Sequence, residues 1–393
     1  MISVSRLLCG AVAAGDVLRY GGERGYSENA GEQRPIVVWN CTRRCNLHCV
    51  HCYANSNDST HVGELSTQEA KSFIKDLSDF RIPVLLFSGG EPLLRDDIFE
   101  LAIFARELGI RSVLSTNGTL ITEKTAQKIK EAGFGEVGIS LDGMGANNDR
   151  FRGLKGAYDA ALQGIRSCVV LGQKVSLRFT ITRPNYRDIP AIFELIEQES
   201  IDRACFYHLA YVGRASKMQV DDVNPEETRA IVDLIFERTL DLHQRGLNKE
   251  ILTVDNHADG VYLYLRVKRE QPGRAAEVFD LLRRNGGNNA GLRIGAVDNL
   301  GNVHADQFWW HYSFGNVRER KFGDIWLDTS DPLMRGLKDR KPLLKGRCAR
   351  CQYIDICKGN LRVRAEAAYG DVWAEDPACY LTDEEIGIVP TSN

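Results

Sequence analysis

The chain has no run of about eighteen consecutive apolar residues, so no segment is long enough to cross a membrane as a helix. Charge excess is also missing: 50 Lys and Arg stand against 53 Asp and Glu, a formal net charge of -3. That balance excludes the basic surface on which nucleic-acid binding depends. No internal repeat and no low-complexity tract occurs, which excludes a repeat architecture. The N-terminal MISVSRLLCG lacks the apolar stretch of a lipoprotein signal, and bulky Leu8 stands where a small residue is needed, so Cys9 is read as a buried or free cysteine. A disulfide framework is unsupported too. The 11 cysteines are odd in number and concentrate in two tight sets, which suits metal binding in a reducing compartment and places the protein in the cytoplasm.

The hydrophobic fraction of 43% is ample for a core, and 393 residues suit two domains or one large domain with an appendage. From Pro35 to about residue 210, short apolar runs alternate with amphipathic stretches. Strands are expected at 36–39, 84–87, 111–115, 136–141, 175–182 and 204–209, with helices between them, one opened by the capping box Ser66-Thr67-Gln68-Glu69. Six strands in this repeated βα plan demand a parallel sheet covered by helices, with functional residues at the C-terminal strand ends. Beyond it, helices are expected at 225–245 and 274–284, and a hairpin at 293–304 around Asp298-Asn299-Leu300-Gly301. The division is an N-terminal extension 1–34, a barrel 35–212, a bridging part 213–330 and a C-terminal cysteine-bearing part 331–393.

The first cysteine set, in Cys41-TRRCNLHCVHCY-Ala54, offers C-x3-C-x2-C only at Cys45, Cys49 and Cys52, because the register starting at Cys41 would need a cysteine where His48 stands. Three thiolates can hold three corners of a 4Fe-4S cluster and leave the fourth iron open for chemistry. The competing reading is a zinc site of Cys49, Cys52, His48 and His51. After the next strand comes Ser88-Gly89-Gly90-Glu91-Pro92, whose glycines let the backbone approach a ligand and whose Glu91 suits an amino group; a plain turn is the alternative. Ser115-Thr116-Asn117-Gly118 suits ribose hydroxyls or a carboxylate, or is an Asn-Gly turn. Asp142 faces the site or caps a turn. G-x-G-x-x-G at Gly133, Gly135 and Gly138 leads from a helix into a strand, the reverse of a nucleotide-binding context, and is set aside. The second set, Cys348, Cys351, Cys357 and Cys379, is a complete ligand set for a closed 4Fe-4S cluster, with structural zinc as the alternative. Phe308-Trp309-Trp310-His311-Tyr312 lines a flat ligand or fills core, and His208, His257, His304 and His311 are candidate acids or axial iron ligands.

The triplet, the Gly-Gly-Glu-Pro loop and the strand order resemble the radical S-adenosylmethionine (SAM) superfamily over about residues 35–210. The resemblance implies an α/β fold, a partial (β/α)6 TIM barrel with a C-terminal iron–sulfur extension, in which SAM chelates the open iron and yields a 5′-deoxyadenosyl radical. It implies that Cys45, Cys49 and Cys52 hold the cluster. It places Tyr53 beside the adenine, Ser88, Gly89, Gly90 and Glu91 at the methionine amino group, and Ser115, Asn117 and Arg178 as further SAM contacts. The C-terminal part resembles SPASM/Twitch extensions. It departs from full SPASM because no cysteine follows the hairpin at Gly301–His304 and position 361 is Leu361, so one auxiliary cluster is expected.

WNCTRRCNLHCVHCYA, DNHADGVY (255–262), FWWHYSFGNVRER (308–320) and DPACYLTDEEIG (376–387) resemble the tetrapyrrole-modifying subfamily of these enzymes. That resemblance implies an iron tetrapyrrole substrate, 12,18-didecarboxysiroheme. One branch removes its two acetates to give Fe-coproporphyrin III; the heme d1 branch removes propionates. The N-terminal segment with Asp16 to Tyr20 favours the first. An electron donor such as flavodoxin or ferredoxin is implied, and no nucleic-acid or membrane partner. Arg152, Arg178 and Arg214 are candidates for the substrate carboxylates at the mouth. Catalytic residues proper are open among His208, His257, His311 and Asp142. Two other readings are a SPASM peptide maturase, for which the roughly 34 residues before the first strand are short, and a non-enzymatic two-cluster electron carrier.

Overall fold

The computed structural model describes residues 1–21 and 34–388. Its strands are β1 (Ile2–Ser3), β2 (Ile36–Thr42), β3 (Val84–Gly89), β4 (Arg111–Thr116), β5 (Val137–Ser140), β6 (Val175–Ile181), β7 (Arg203–His208), β8 (Glu250–Val254), β9 (Ile294–Val297) and β10 (Val303–His304). They form one sheet in the order β1-β8-β7-β6-β5-β4-β3-β2-β9-β10. Every pair from β2 to β8 is parallel and follows chain order, and β9 also lies parallel to β2. Only the edges, β1 on β8 and β10 on β9, are antiparallel. The result is an open α/β barrel sheet whose strands β2 to β9 run in one direction.

Local chemistry explains the elements. Ser66 and Glu69 complete the expected capping box at the head of helix Thr67–Asp79, and Asn224 with Glu227 does the same for helix Pro225–Gln244, which has proline in its first turn. In β6, Leu177, Phe179 and Ile181 are buried, while Arg178 and Thr180, on the other face, are half-buried. That alternation separates an apolar helix-covered side from a polar interior. The N-terminal strand ends are closed by ion pairs: Arg203 holds Glu136 and Glu250, and Arg19 from helix Asp16–Tyr20 joins Glu250 and Asp16.

The sheet continues past the six expected strands. β8 adds a seventh parallel strand, and residues 2–9 fold onto it as β1 and a short helix whose Leu7 and Leu8 are buried in the main core. Cys9 is half-buried, and its thiol is pushed up to about 11 by burial. The hairpin β9–β10 extends the sheet at β2. Helices Ala146–Arg152 and Ala258–Glu270 have no counterpart among the expected elements.

Candidate functional site

The cysteine loop leaves β2 at the C-terminal edge of the sheet. Cys45 and Cys49 are buried and Cys52 half-buried, in one small cluster with Leu47 and Ala157. Each sulfur meets an N–H donor. Leu47 N lies 3.4 Å from Cys45 Sγ, Ser56 N lies 3.5 Å from Cys52 Sγ, and Arg152 Nη1 lies 3.6 Å from Cys49 Sγ. Asn117 Nδ2 adds a contact to Cys45 Sγ at 3.8 Å. Burial, opposed by the Leu47 N–H, pushes the Cys45 thiol up to about 12. Thiols so buried keep their protons unless a metal replaces them, whereas N–H groups aimed at sulfur favour thiolate, so this pocket fits an iron–sulfur cluster. Among the described residues no three His, Cys, Asp or Glu side chains gather tightly enough for one metal ion. His51 faces Asp142 at 3.5 Å and lies against the Phe151 ring at 4.6 Å. Cys41 is fully buried in the main core, apart from this cluster.

The two glycines serve the cysteine loop itself. Gly90 N donates to Thr42 O at 2.7 Å and Glu91 N to Arg44 O at 2.8 Å. A Cβ on Gly89 would stand 2.3 Å from Thr42 O, and one on Gly90 would stand 2.1 Å from Arg44 O. The backbone they admit so closely is that of the cluster loop. Glu91 is completely buried: Oε1 accepts from Thr116 Oγ1 at 2.8 Å and Leu93 N at 3.0 Å, and Oε2 accepts from Asn117 N at 2.8 Å. Burial, opposed by these donors, moves its carboxyl up to about 7. Glu91 therefore ties the ends of β3 and β4 together. Asn117 carries the tie onward, with Nδ2 to Asn46 Oδ1 at 2.8 Å. Tyr53, just after Cys52, donates to Asn40 Oδ1 at 3.0 Å, meets Ser88 Oγ at 3.2 Å and packs edge-on against Phe308. Ser88, Gly89, Gly90, Glu91, Asn117 and Tyr53 thus converge on the cysteine loop. Ser115 lies in the barrel interior and accepts a short hydrogen bond from Arg178. Gly138 is what makes room for that guanidinium, since a Cβ there would stand 2.3 Å from Arg178 Nε.

Two of the three arginines expected at the mouth, Arg152 and Arg214, are engaged on the cysteine loop, whereas Arg178 stays half-buried in the barrel interior. Arg152 is buried between Asp142 and Cys49, with a short ion pair to the former. Arg214 donates to Cys49 O at 2.7 Å and to Ser56 O at 2.8 Å, clamping the loop from behind. Arg178 holds Ser115. Asp142 is fully buried; besides Arg152, its Oδ1 accepts from Thr180 N at 2.6 Å.

The histidines divide. His208 Nε2 lies 2.9 Å from Asp259 Oδ2, and the other Asp259 oxygen accepts from Tyr380 at 2.9 Å, a buried chain of three. His304 Nδ1 meets Tyr312 O at 2.7 Å and its ring faces Asp298. His311 is half-exposed and paired with Glu366 at 2.9 Å, which raises its pKa. His257 is buried at the head of helix Ala258–Glu270; its Nδ1 has no hydrogen-bond partner, and burial holds its pKa well below the ordinary range. In the aromatic run Trp309 is core, Phe308 backs Tyr53, and Trp310 lies between His304 and Arg43.

The second cysteine set lines one cavity. Cys348, Cys351, Cys357 and Cys379 surround it together with Ala258, Val261 and Asn360. Burial raises the Cys357 thiol well above its ordinary value, and the other three cysteines add to the rise, so all four share one electrostatic neighbourhood. Beside them Arg362 is fully buried; among the described residues it bonds only the carbonyls of Gly359, Val372 and Ala374, and its Nε has no partner there. The anions near it are Asp376, already paired with Arg364 at 2.8 Å, and the thiols of Cys348 and Cys357. A buried cation without a counter-ion is costly; four thiolates holding an anionic cluster supply one. Arg364 also bonds Leu209 O and Asp255 O, each at 3.0 Å, and so pins this region to the ends of β7 and β8.

Sequence reasoning did not single out Arg362, Arg364, Asp376, Asp306 or Asp255. Asp255 carried one usable signal, its place directly after the apolar run 251–254, with a left-handed φ of +64°. Asp306 is buried, accepts from Phe308 N at 2.8 Å, and is pushed up to about 7 by burial. The arginines are legible only in three dimensions.

Comparison with known proteins gives a consistent picture. The profile of the radical SAM superfamily matches residues 39–196. Fe-coproporphyrin III synthase of Methanosarcina barkeri is 59% identical over 98% of this chain and 99% of its own length. Pre-heme d1 synthase of Dinoroseobacter shibae is 45% identical over 91% of this chain and 89% of its own. Among solved structures, Streptococcus suis SuiB bound to the precursor peptide SuiA superposes with a TM-score of 0.71 at 20% identity, covering 89% of this chain and 76% of that one, a likeness of fold.

Proposed function

This chain belongs to the radical SAM superfamily, and from that premise we propose that it removes the two acetate side chains of 12,18-didecarboxysiroheme, leaving methyl groups and giving Fe-coproporphyrin III. The observation that carries this reading is the 59% identity, end to end, with a protein named for that product, against 45% for the pre-heme d1 synthase. When bound, the reduced cluster and SAM supply a 5′-deoxyadenosyl radical able to take a hydrogen atom from an unactivated carbon.

The chain's own residues do the rest. Cys45, Cys49 and Cys52 hold three irons, and their N–H donors stabilise the anionic sulfurs. Glu91 and Asn117 fix the loops around the open corner, with the Ser88–Gly90 backbone and Tyr53 presented there to SAM. Ser115 and Arg178 offer polar contacts deeper in the barrel. Cys348, Cys351, Cys357 and Cys379, in the region 331–393, hold one auxiliary 4Fe-4S cluster. Half-buried Asp255 and buried His257 and Asp306, on loops following β8 and β10, are our candidates for exchanging a proton with substrate; Arg152 and Arg214 are committed to the cysteine loop. A low-potential flavodoxin or ferredoxin in the cytoplasm supplies the electron.

The test is product analysis. Anaerobically reconstituted, reduced protein given SAM and didecarboxysiroheme should yield 5′-deoxyadenosine and a tetrapyrrole lighter by two acetates. Loss of two propionates would assign the heme d1 reaction instead, and no change to any tetrapyrrole would refute the proposal.

A further inference from the structure

Helix Ala146–Arg152 ends against the cysteine loop. His48 N donates to Arg152 O at 3.2 Å and Val50 N to Phe151 O at 3.0 Å, so two backbone bonds bracket Cys49. The chain then turns through Gly153 at φ +71°, where a Cβ would stand 2.5 Å from His48 O. This delivers the Arg152 guanidinium, 7% exposed, to Cys49 Sγ. Its other end is locked by the Asp142 ion pair. Asp142 is itself fixed on three sides: Oδ1 accepts from Thr180 N at 2.6 Å, its backbone N donates to Asn148 Oδ1 at 2.9 Å, and its carbonyl accepts from Asn185 Nδ2 at 3.0 Å. The guanidinium is held between Asp142 and Cys49 and away from solvent.

On the reading that the triplet holds the SAM-binding cluster, we infer that Arg152, oriented by Asp142, sets the reduction potential of that cluster through a charge-assisted N–H···S contact to Cys49. Among the described residues this is the one cationic donor on the three sulfurs; the others are the amides of Leu47 and Ser56 and the Asn117 side chain. One-electron reduction by a low-potential donor adds one negative charge to the cluster and changes no bond and no proton. A cation touching a ligand sulfur stabilises the reduced form more than the oxidised one, which raises the potential. Asp142 offsets part of the charge, but it sits on the far side of the guanidinium from the sulfur, so the sign of the effect stands. The arrangement makes the electron easier to load before SAM is cleaved.

The experiment is an anaerobic redox titration of the full-length, reconstituted protein, followed by electron paramagnetic resonance. The catalytic cluster is identified as the reduced signal whose shape changes on adding SAM. Removing Arg152 alone strands a buried carboxylate, so the informative variant is the double one, Asp142→Asn with Arg152→Gln, which removes both charges and keeps the hydrogen-bonding shape. The SAM-responsive signal should titrate at a more negative potential in the double variant, while Arg152→Lys should stay close to the unmodified protein. A double variant with full iron and sulfide content and an unshifted potential would overturn the inference. So would loss of the cluster from both variants, because the guanidinium would then be serving the loop's folding. An unmodified protein with no SAM-responsive signal would instead refute the cluster assignment beneath it.

Discussion

The Glu91 carboxylate accepts the backbone N–H of Asn117 at 2.8 Å, with no solvent exposure of its own. With the Thr116 hydroxyl on its other oxygen, Glu91 joins the ends of β3 and β4, and Asn117 extends the link to Asn46 and Cys45. Glu91→Gln would turn one carboxylate acceptor into a donor, leaving one buried backbone N–H, of Leu93 or Asn117, facing an NH2. A loss of about 1–3 kcal/mol is expected, the usual cost of unsatisfied buried donors. Thermal unfolding checks the stability. Iron retained per chain after anaerobic gel filtration should fall with it.

Asp306 makes stability depend on pH. Its folded pKa, about 7, lies above the ordinary carboxylate range because burial disfavours the charged form. Its contribution is therefore complete at acid pH and is lost as pH rises toward 7, at up to about 1.4 kcal/mol per pH unit. Asp306→Asn keeps the acceptor for Phe308 N and removes the titration. The variant should show a shallower fall in unfolding free energy between about pH 4 and 7, measured by urea denaturation. Asp255, held up to about 6 by its own burial, and Glu91 leave a residual slope.

Arg364 and Asp376 form a fully buried pair that also reaches the carbonyls of Leu209 and Asp255. Arg364→Met strands the Asp376 carboxylate beside the auxiliary cysteines. A destabilisation of about 3–5 kcal/mol is expected, the typical cost of breaking one side of a buried ion pair. Limited proteolysis should then cut first within residues 331–388. If the C-terminal region stays as resistant as before, the pair does not anchor it.

Much of the barrel was legible because its signals are local. Apolar runs of four to seven residues, with Ser66 and Glu69 at one helix head, announced strands β2 to β7 and the helices between them, mostly to within a residue or two. β8 was missed although Ile251, Leu252 and Val254 are apolar and the expected helix 225–245 precedes it, because the run is short and Thr253 interrupts it. Helix Ala146–Arg152 reads as polar in sequence and is held by its contacts with the cysteine loop. The cysteines were plain from spacing. Their partners were not: Arg152, Arg214 and Arg362 look like surface cations in one dimension, and their burial depends on carbonyls and sulfurs more than ten residues away or on a turn that only the fold closes.

The two neighbouring cysteines Cys41 and Cys45 separate core packing from cluster binding. Cys41 is fully buried in the main core, its thiol pushed up to about 12 by burial. Cys41→Ala should retain the SAM-responsive cluster at full iron content and cost about 1–2 kcal/mol of stability from lost packing. Cys45→Ala should abolish SAM cleavage altogether. Iron and sulfide analysis with assay of 5′-deoxyadenosine distinguishes them.

The most direct test is to reduce the reconstituted, unmodified protein anaerobically, add SAM with didecarboxysiroheme, and follow 5′-deoxyadenosine and tetrapyrrole mass together. An iron left without a protein ligand on a cluster held by Cys45, Cys49 and Cys52 predicts 5′-deoxyadenosine accompanied by Fe-coproporphyrin III. Fully loaded, fully reduced protein that leaves SAM intact would contradict it.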